Sequence, residues 1–132
     1  MGLPYDKRVE RKSGILINLG TESFYCILQH APGGGSPHNL GVLLYDGTRH
    51  RLLMRFREDY GFATELDAEV LSALGADLSK KATECDDPLE MIELLEDTLS
   101  NDILITERSI IEIDRDPTEV LRTVYSKTVE QR

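Results

Sequence analysis

Residues 39–57 read NLGVLLYDGTRHRLLMRFR and contain the strongest strand pattern of the chain. Residues 39–45 are apolar at both sets of alternate positions, which predicts a central strand covered on both of its faces. Asp46-Gly47 is the commonest two-residue signal for a hairpin turn, so residues 49–57 are expected to return as the neighbouring strand. The sequence therefore predicts an antiparallel hairpin over residues 39–57.

Alternation along the returning strand separates its side chains by chemistry. One face carries Arg49, Arg51, Arg55 and Arg57 together with Leu53, and the other carries His50, Leu52, Met54 and Phe56. Because successive side chains of a strand point to opposite faces, one face is expected to pack and the other to meet water. Guanidinium groups in a row contact phosphates or carboxylates. The preferred interpretation is that they are solvated or pair with the protein's own acids, for which the acidic helix predicted at 88–99 is an available partner.

Upstream of the hairpin, short apolar runs predict two further strands, at 14–20 and 23–31. Residues 32–37 contain two prolines and three glycines and are expected to form a loop. Residues 1–13 are polar and of mixed charge, which predicts a flexible or loosely docked arm. The expected organisation is this arm followed by a single domain over residues 14–132.

Downstream, the apolar period changes from that of strands to that of helices. A helix is expected from Leu66 to the Lys80-Lys81 pair. Two further helices are expected to begin at Asp87-Pro88 and at Asp116-Pro117, because each pair provides a capping aspartate and a first-turn proline. Short strands are expected at 103–106 and 110–113. Strands and helices are grouped rather than alternating, so the predicted class is α+β, with a mainly antiparallel sheet of about five to six strands and about three helices.

Length and charge limit the functional classes. The chain has 132 residues, a formal net charge of −9 and no stretch that approaches the roughly 20 apolar residues of a membrane-spanning helix. A cytoplasmic protein is expected, because the first residues also lack the apolar region of a signal peptide. Residues 82–107 hold nine acids and neither Lys nor Arg. This charge disfavours nucleic-acid binding, which depends on neutralising phosphates.

The glycine loop suggests a ligand site of a different kind. A phosphate cradle needs a helix N-terminus after its glycines, whereas Pro37 and a strand follow here. An alternative function, an enzyme or sensor for a nucleotide or a phosphorylated small molecule, nevertheless combines the loop with nearby imidazole and guanidinium groups. Its candidate residues are Gly33, Gly34, Gly35, His38, His50, Arg51 and Arg55.

Other catalytic and metal-binding patterns are missing from the sequence. Cys26 and Cys85 are far apart, and the three histidines do not match the spacing of a zinc site. No nucleophile-elbow spacing surrounds Ser36, although His38 is two residues away. We therefore expect no catalytic residue, no metal and no cofactor.

Several segments resemble a family of small bacterial proteins of unknown function. The stretches that carry the resemblance are Phe24-Tyr25-Cys26-Ile27-Leu28, the glycine and proline loop, Asn39-Leu40-Gly41-Val42 and Leu95-Glu96-Asp97-Thr98-Leu99-Ser100-Asn101. The resemblance covers roughly residues 22–129. It implies a bacterial cytoplasmic protein without an established activity, with a regulatory or antitoxin-like relation to a partner.

The leading expectation is a non-enzymatic interaction or regulatory protein, because the charges are segregated and no catalytic pattern is present. Its partner is expected to be a basic protein. The residues expected to contact partners are Arg49, Arg57, Glu90, Glu93, Glu96 and Asp97. The ligand-binding enzyme or sensor is the first alternative, and nucleic-acid binding by the strand Arg49–Arg57 is the second. An antiparallel sheet also has open edges, so a homo-oligomer is a further expected association.

Overall fold

The computed structural model describes residues 22–98 and 102–130. Within them the chain forms a five-stranded antiparallel sheet and three α-helices, which confirms the α+β class. The strands are β1 (Phe24–His30), β2 (His38–Asp46), β3 (Arg51–Phe56), β4 (Ile103–Ile105) and β5 (Ser109–Ile110). The helices are α1 (Glu65–Glu84), α2 (Pro88–Thr98) and α3 (Pro117–Thr128). The arm predicted at 1–13 and the strand predicted at 14–20 lie outside the described residues.

Strand β2 lies inside the sheet, as its apolar sequence predicts. The strand order is β3-β2-β1-β4, and β5 pairs with β1 on the same side as β4. Residues 40–46 are all buried. Because β2 has a strand on each side and helices over both faces, neither alternate set of side chains reaches water between residues 40 and 46.

Helices cover the two faces of the sheet with different partners. Val42 and Leu44 of β2 pack in one core with Val124 and its neighbours on α3. Leu43, which points to the other face, packs in a second core with Leu71 of α1 and residues of α2. We call these two sides the α3 face and the α1/α2 face. The molecule therefore has three layers, with the sheet in the middle.

The turn between β2 and β3 corrects the predicted two-residue hairpin. β2 ends at Asp46 and β3 begins at Arg51, so the turn contains four residues. The buried Asp46 carboxylate accepts hydrogen bonds from the backbone N–H groups of Thr48 (3.0 Å) and Arg49 (3.2 Å) and from the Arg49 guanidinium (2.8 Å). This carboxylate organises a longer turn than the Asp-Gly pair alone predicts, and His50 adopts a φ of 54° within it.

Two of the four predicted arginines are strand residues on one face of β3. Leu53 packs in the core of the α3 face, so Arg51 and Arg55 at alternate positions share that face. Leu52, Met54 and Phe56 pack on the α1/α2 face. The alternation predicted from the sequence is therefore correct between residues 51 and 56.

The other two arginines depart from that face, and within the described residues none of the four forms an ion pair with the acidic helix. Arg49 lies in the turn, and the Arg57 guanidinium, just after β3, lies 4.9 Å from the centre of the Phe62 ring. The acidic helix α2 packs on the α1/α2 face, with Ile92 buried against β1 and β2. The sheet itself therefore separates α2 from the guanidinium groups on the α3 face.

Candidate functional site

A groove lies at the corner where α1 ends and α2 begins, and we call it the corner groove. Its volume is about 390 Å³. Its lining combines carboxylates with apolar or weakly polar side chains and a lysine, and consists of Lys81, Glu84, Cys85, Asp86, Asp87, Glu90, Met91 and Leu94. An apolar floor with an acidic rim is suited to a ligand that is itself both apolar and positively charged.

The residues between the two helices fix the shape of the corner. The N–H of Cys85 donates to the Lys81 carbonyl and closes α1. The Asp87 carboxylate then accepts hydrogen bonds from the N–H groups of Leu89 (3.1 Å) and Glu90 (3.3 Å), which confirms its predicted capping role. A short, well-capped connection therefore holds the carboxylates of both helix ends close together.

Helix capping does not account for Glu84 and Asp86. Glu84 is the last residue of α1, where the helix dipole disfavours negative charge by about 0.3–1 kcal/mol, and Asp86 lies in the connection between α1 and α2. Among the described residues, neither side chain forms a hydrogen bond or an ion pair. Both belong to the nine acids of residues 82–107, but neither was expected to line a site. Their placement supports a role outside folding.

The apolar floor comes from the side of α2 next to its buried stripe. Ile92 and Leu95 are buried in the cores, whereas Leu94 is 60% exposed. Met91 is half-buried and packs against the core while also lining the groove. A leucine outside the buried stripe and among carboxylates was the signal for this surface, and the sequence prediction did not use it.

The lysine of the lining does not offset the acids locally. The Lys81 ammonium lies 3.0 Å from Asp77, one turn earlier on α1. The Lys81 charge is therefore paired with Asp77. The four carboxylates of the lining give the corner groove a negative potential. Such a potential attracts cations most strongly at low salt, because exposed charges are screened within about 10 Å at 0.1 M salt.

A chain of polar contacts connects the corner groove to the sheet. The Tyr45 hydroxyl lies 2.7 Å from Nδ1 of His50, and Nε2 of His50 lies 3.5 Å from Asp87. Burial raises the pKa of Tyr45, and the charges of Asp87 and Asp46 raise it further, so the phenol is protonated at neutral pH. In the tautomer with its proton on Nε2, His50 accepts from Tyr45 and donates toward Asp87.

The order tyrosine, histidine, aspartate resembles a catalytic proton relay, but the contacts of these three side chains have a structural role. Tyr45 is only 1% exposed, so a substrate does not reach its oxygen. Both imidazole nitrogens of His50 already face protein groups. The contacts instead fasten the four-residue turn after β2 to the first turn of α2.

The structure does not bring together the ligand site predicted around the glycine loop. Gly33, Gly34 and Gly35 adjoin the start of β2, where the His38 ring stacks on Phe62 with 4.3 Å between ring centres. His50 and Arg51 lie beyond the other end of β2. The nine residues of β2 separate the two ends by about 26 Å at 3.3 Å per residue.

Arg55 lines a second cleft, of about 440 Å³, beside the end of β3. Its guanidinium lies 4.6 Å from the centre of the Tyr125 ring. Arg57 also lines the cleft, but it donates to the backbone carbonyls of Asn39 (3.0 Å) and Asp59 (2.9 Å). Three acids share the same lining, namely Glu58, Asp59 and Glu130. The mixed charge does not define an anion site.

The predicted partner residues on α2 divide between two sides of the helix. Glu90 lines the corner groove. Glu96 instead accepts two hydrogen bonds of 3.0 Å from Arg108, whose guanidinium also lies 4.6 Å from the centre of the Phe24 ring. The hydrogen bond to Glu96 is the main cause that raises the pKa of Arg108, and the charge of Glu93 also contributes. Glu93 and Glu96 therefore act on Arg108, while Asp97 is exposed.

Neither a metal-binding group nor a reactive Cys26 thiol is found among the described residues. Within 22–98 and 102–130, no group of three or more His, Cys, Asp or Glu side chains is placed to hold a metal ion. Burial raises the pKa of the Cys26 thiol to about 11, so this sulfur is unreactive at neutral pH. The helices of the same described ranges are too short or too polar to cross a membrane.

No family model, curated protein or solved structure matches this chain. The geometry of the described residues is therefore the basis for the function proposed below.

Proposed function

We propose that this protein is an interaction module that binds a positively charged, amphipathic segment of a partner protein in the corner groove. The observation that carries the proposal is the exposed Leu94 beside half-buried Met91, with four carboxylates around them. The relation to the partner is regulatory and antitoxin-like, within a bacterial cytoplasm. This reading of the biology follows the family resemblance of the sequence.

Apolar and electrostatic contributions have different roles in such a complex. Burial of the leucine and methionine side chains contributes about 25 cal/mol per Å² of apolar surface removed from water, and this gain is partly offset by the entropy lost on association. The carboxylates accelerate encounter with a cationic segment and disfavour acidic competitors. A groove of this kind selects its ligand by charge and holds it by apolar contact.

The first experiment separates the groove acids from the net charge. The probe is a model amphipathic peptide of leucine and lysine, and its counterpart of leucine and glutamate is the negative probe. The triple variant Glu84→Gln, Asp86→Asn, Glu90→Gln is compared with a matched variant that removes three exposed acids elsewhere, Glu58→Gln, Glu69→Gln, Glu112→Gln. We expect the groove variant to weaken binding of the lysine peptide at least about tenfold.

The second experiment tests the apolar floor with two leucines of similar exposure on different helices. Leu94 is 60% exposed and Leu66 is 70% exposed. Leu94→Ser is expected to weaken binding of the lysine peptide, and Leu66→Ser is expected to leave it unchanged. Equal effects of the two variants, or equal effects of the two triple variants above, would contradict a site at the corner groove.

A further inference from the structure

Within residues 22–98 and 102–130, strand β3 forms one edge of the sheet, and its open backbone groups can be assigned from the register. The N–H of Arg57 donates to the Leu40 carbonyl, which continues the pairing of β3 with β2. In an antiparallel pair, alternate residues direct both N–H and C=O to the neighbour. The residues that point away from β2 are therefore Leu52, Met54 and Phe56. Among the described residues, their outward backbone groups have no hydrogen-bond partner.

The side chains along this edge include two exposed arginines. Arg51 and Arg55 are both exposed and flank the half-buried Leu53 on the α3 face. Neither guanidinium forms an ion pair with a carboxylate of the described residues. The edge therefore offers a row of backbone donors and acceptors between two cationic groups that are four residues apart.

We propose that the edge of β3 binds an extended acidic segment of a partner protein as an additional strand. Such a strand forms main-chain hydrogen bonds with residues 52, 54 and 56. Its side chains over the α3 face meet Arg55, Leu53 and Arg51 in turn, so carboxylates four residues apart with an apolar residue midway between them fit this edge. Arginine and carboxylate pair through two parallel hydrogen bonds, which adds register as well as affinity.

Charge disfavours a second copy of this chain as the occupant in the register centred on Leu53. Antiparallel pairing of β3 with its own copy around Leu53 places Arg51 of one chain opposite Arg55 of the other. Like charges directly opposite each other in a ladder are destabilising. Charged side chains on an edge are a common protection against self-pairing. The same two arginines that favour an acidic strand therefore act against homo-oligomer formation through this edge.

This surface differs from the corner groove in position and in charge. The arginines of β3 lie on the α3 face, whereas α1 and α2 cover the other face. The edge selects an acidic extended segment, and the groove selects a basic amphipathic one. Failure of one proposal consequently leaves the other standing.

The test uses the full chain and a synthetic peptide whose central sequence is Thr-Glu-Thr-Val-Thr-Glu-Thr. Its glutamates are spaced to meet the two arginines, and its threonine N–H groups face β3 in the proposed register. One derivative is N-methylated at the internal threonines and a second is N-methylated at the glutamates and valine. The expected result is that the first derivative binds at least about tenfold more weakly than the second, because it loses the donors of the new ladder.

Protein variants and amide exchange complete the test. Arg51→Gln with Arg55→Gln is expected to abolish binding, whereas the control Lys80→Gln with Arg122→Gln, which removes two exposed charges elsewhere, is expected to retain it. Circular dichroism verifies that each variant is folded. Peptide binding is expected to slow hydrogen exchange at Leu52, Met54 and Phe56. Equal binding of the two N-methylated derivatives, or unchanged exchange at those amides with peptide bound, would overturn the proposal.

Discussion

The imidazole of His50 lies 3.5 Å from the carboxylate of Asp87, measured from Nε2 to Oδ1. Asp87 also caps α2, and the other nitrogen of His50 contacts the buried Tyr45 hydroxyl. One carboxylate thus connects the turn after β2, the start of α2 and the rim of the corner groove. The acidic rim is consequently fixed to the centre of the sheet.

Substitution of Asp87 is expected to separate its capping role from its charge. Asp87→Ala removes the acceptor for the first-turn N–H groups and is expected to lower the free energy of unfolding by about 1 kcal/mol. Asp87→Ser restores a capping oxygen and is expected to recover most of that loss. Urea unfolding measures both. A serine variant as unstable as the alanine variant would show that the contact with His50 outweighs the cap.

The backbone conformation at His50 predicts that the glycine variant is more stable than the alanine variant. His50 has a φ of 54°, a value that costs a residue with a Cβ about 1–2 kcal/mol. His50→Gly and His50→Ala both lose the contacts with Tyr45 and Asp87, but glycine adopts this φ at little cost. The glycine variant is therefore expected to be about 1 kcal/mol more stable than the alanine variant in thermal unfolding.

Thr48 in the same turn provides the control, because among the described residues His50 is the one non-glycine position with a positive φ. At Thr48, glycine is expected to be no more stable than alanine. A glycine advantage of equal size at both positions would indicate general loosening of the turn.

Gly41 allows β2 and β3 to pack closely, and a side chain is not tolerated there. A Cβ at this position overlaps the Phe56 ring and lies 2.6 Å from the Arg55 carbonyl oxygen. Gly41→Ala is expected to cost about 1–3 kcal/mol in urea unfolding. In the double variant with Phe56→Leu, only part of this loss is expected to be recovered, because the overlap with the ring is relieved while the close contact with the Arg55 carbonyl oxygen remains.

Gly35→Ala is the matched substitution, since the nearest atom to its Cβ is 3.5 Å away and its φ is −74°. We expect it to change stability by less than about 0.5 kcal/mol. A similar loss at Gly35 and Gly41 would contradict the steric explanation.

The buried thiol predicts a loss of stability at alkaline pH. Burial, assisted by the Glu96 charge and opposed by Arg108, raises the pKa of Cys26 from 9.0 to about 11. Between these values the unfolded chain releases the thiol proton while the folded chain keeps it, so the free energy of unfolding falls as pH rises. Cys26→Ala is expected to reduce this slope in urea unfolding measured between about pH 9 and pH 11.

The half-buried Cys85 is the control for that measurement. Cys85→Ala is expected to leave the alkaline slope unchanged. Tyr45, Tyr60 and Tyr125 also have raised pKa values through burial, so a residual slope in the same direction is expected in every variant. Identical slopes in the wild type and Cys26→Ala would contradict the assignment to the thiol.

The sequence predicted the elements of the fold because local chemistry determines them. The apolar run of β2 and the capping residues Asp87 and Asp116 lie where the structure has a central strand and two helix starts. The length of the turn after β2 was not predictable in the same way. It depends on the buried Asp46 carboxylate, and burial is a property of the whole fold.

The candidate surfaces were harder to predict, because they depend on which face of the sheet each helix covers. Alternation correctly separated Arg55 from Met54, but it did not reveal that α2 covers the face of Met54. Pairing with α2, one of the roles expected for the arginines, is therefore not found among the described residues, and Arg49 pairs instead with Asp46. The predicted site that joined His38 to His50 is not assembled for a related reason. His38 begins β2 and His50 lies beyond its other end, so the strand itself keeps the two side chains apart.

The most direct test of the corner groove uses the methionine methyl groups of the protein. Met91 lines the groove, whereas Met54 packs beneath β3 in the core of the α1/α2 face. In methyl-labelled protein titrated with the leucine and lysine peptide, we expect the Met91 resonance to shift and saturate while the Met54 resonance stays in place. A Met91 resonance that does not move while the peptide binds, or equal shifts at both methionines, would contradict binding in the corner groove.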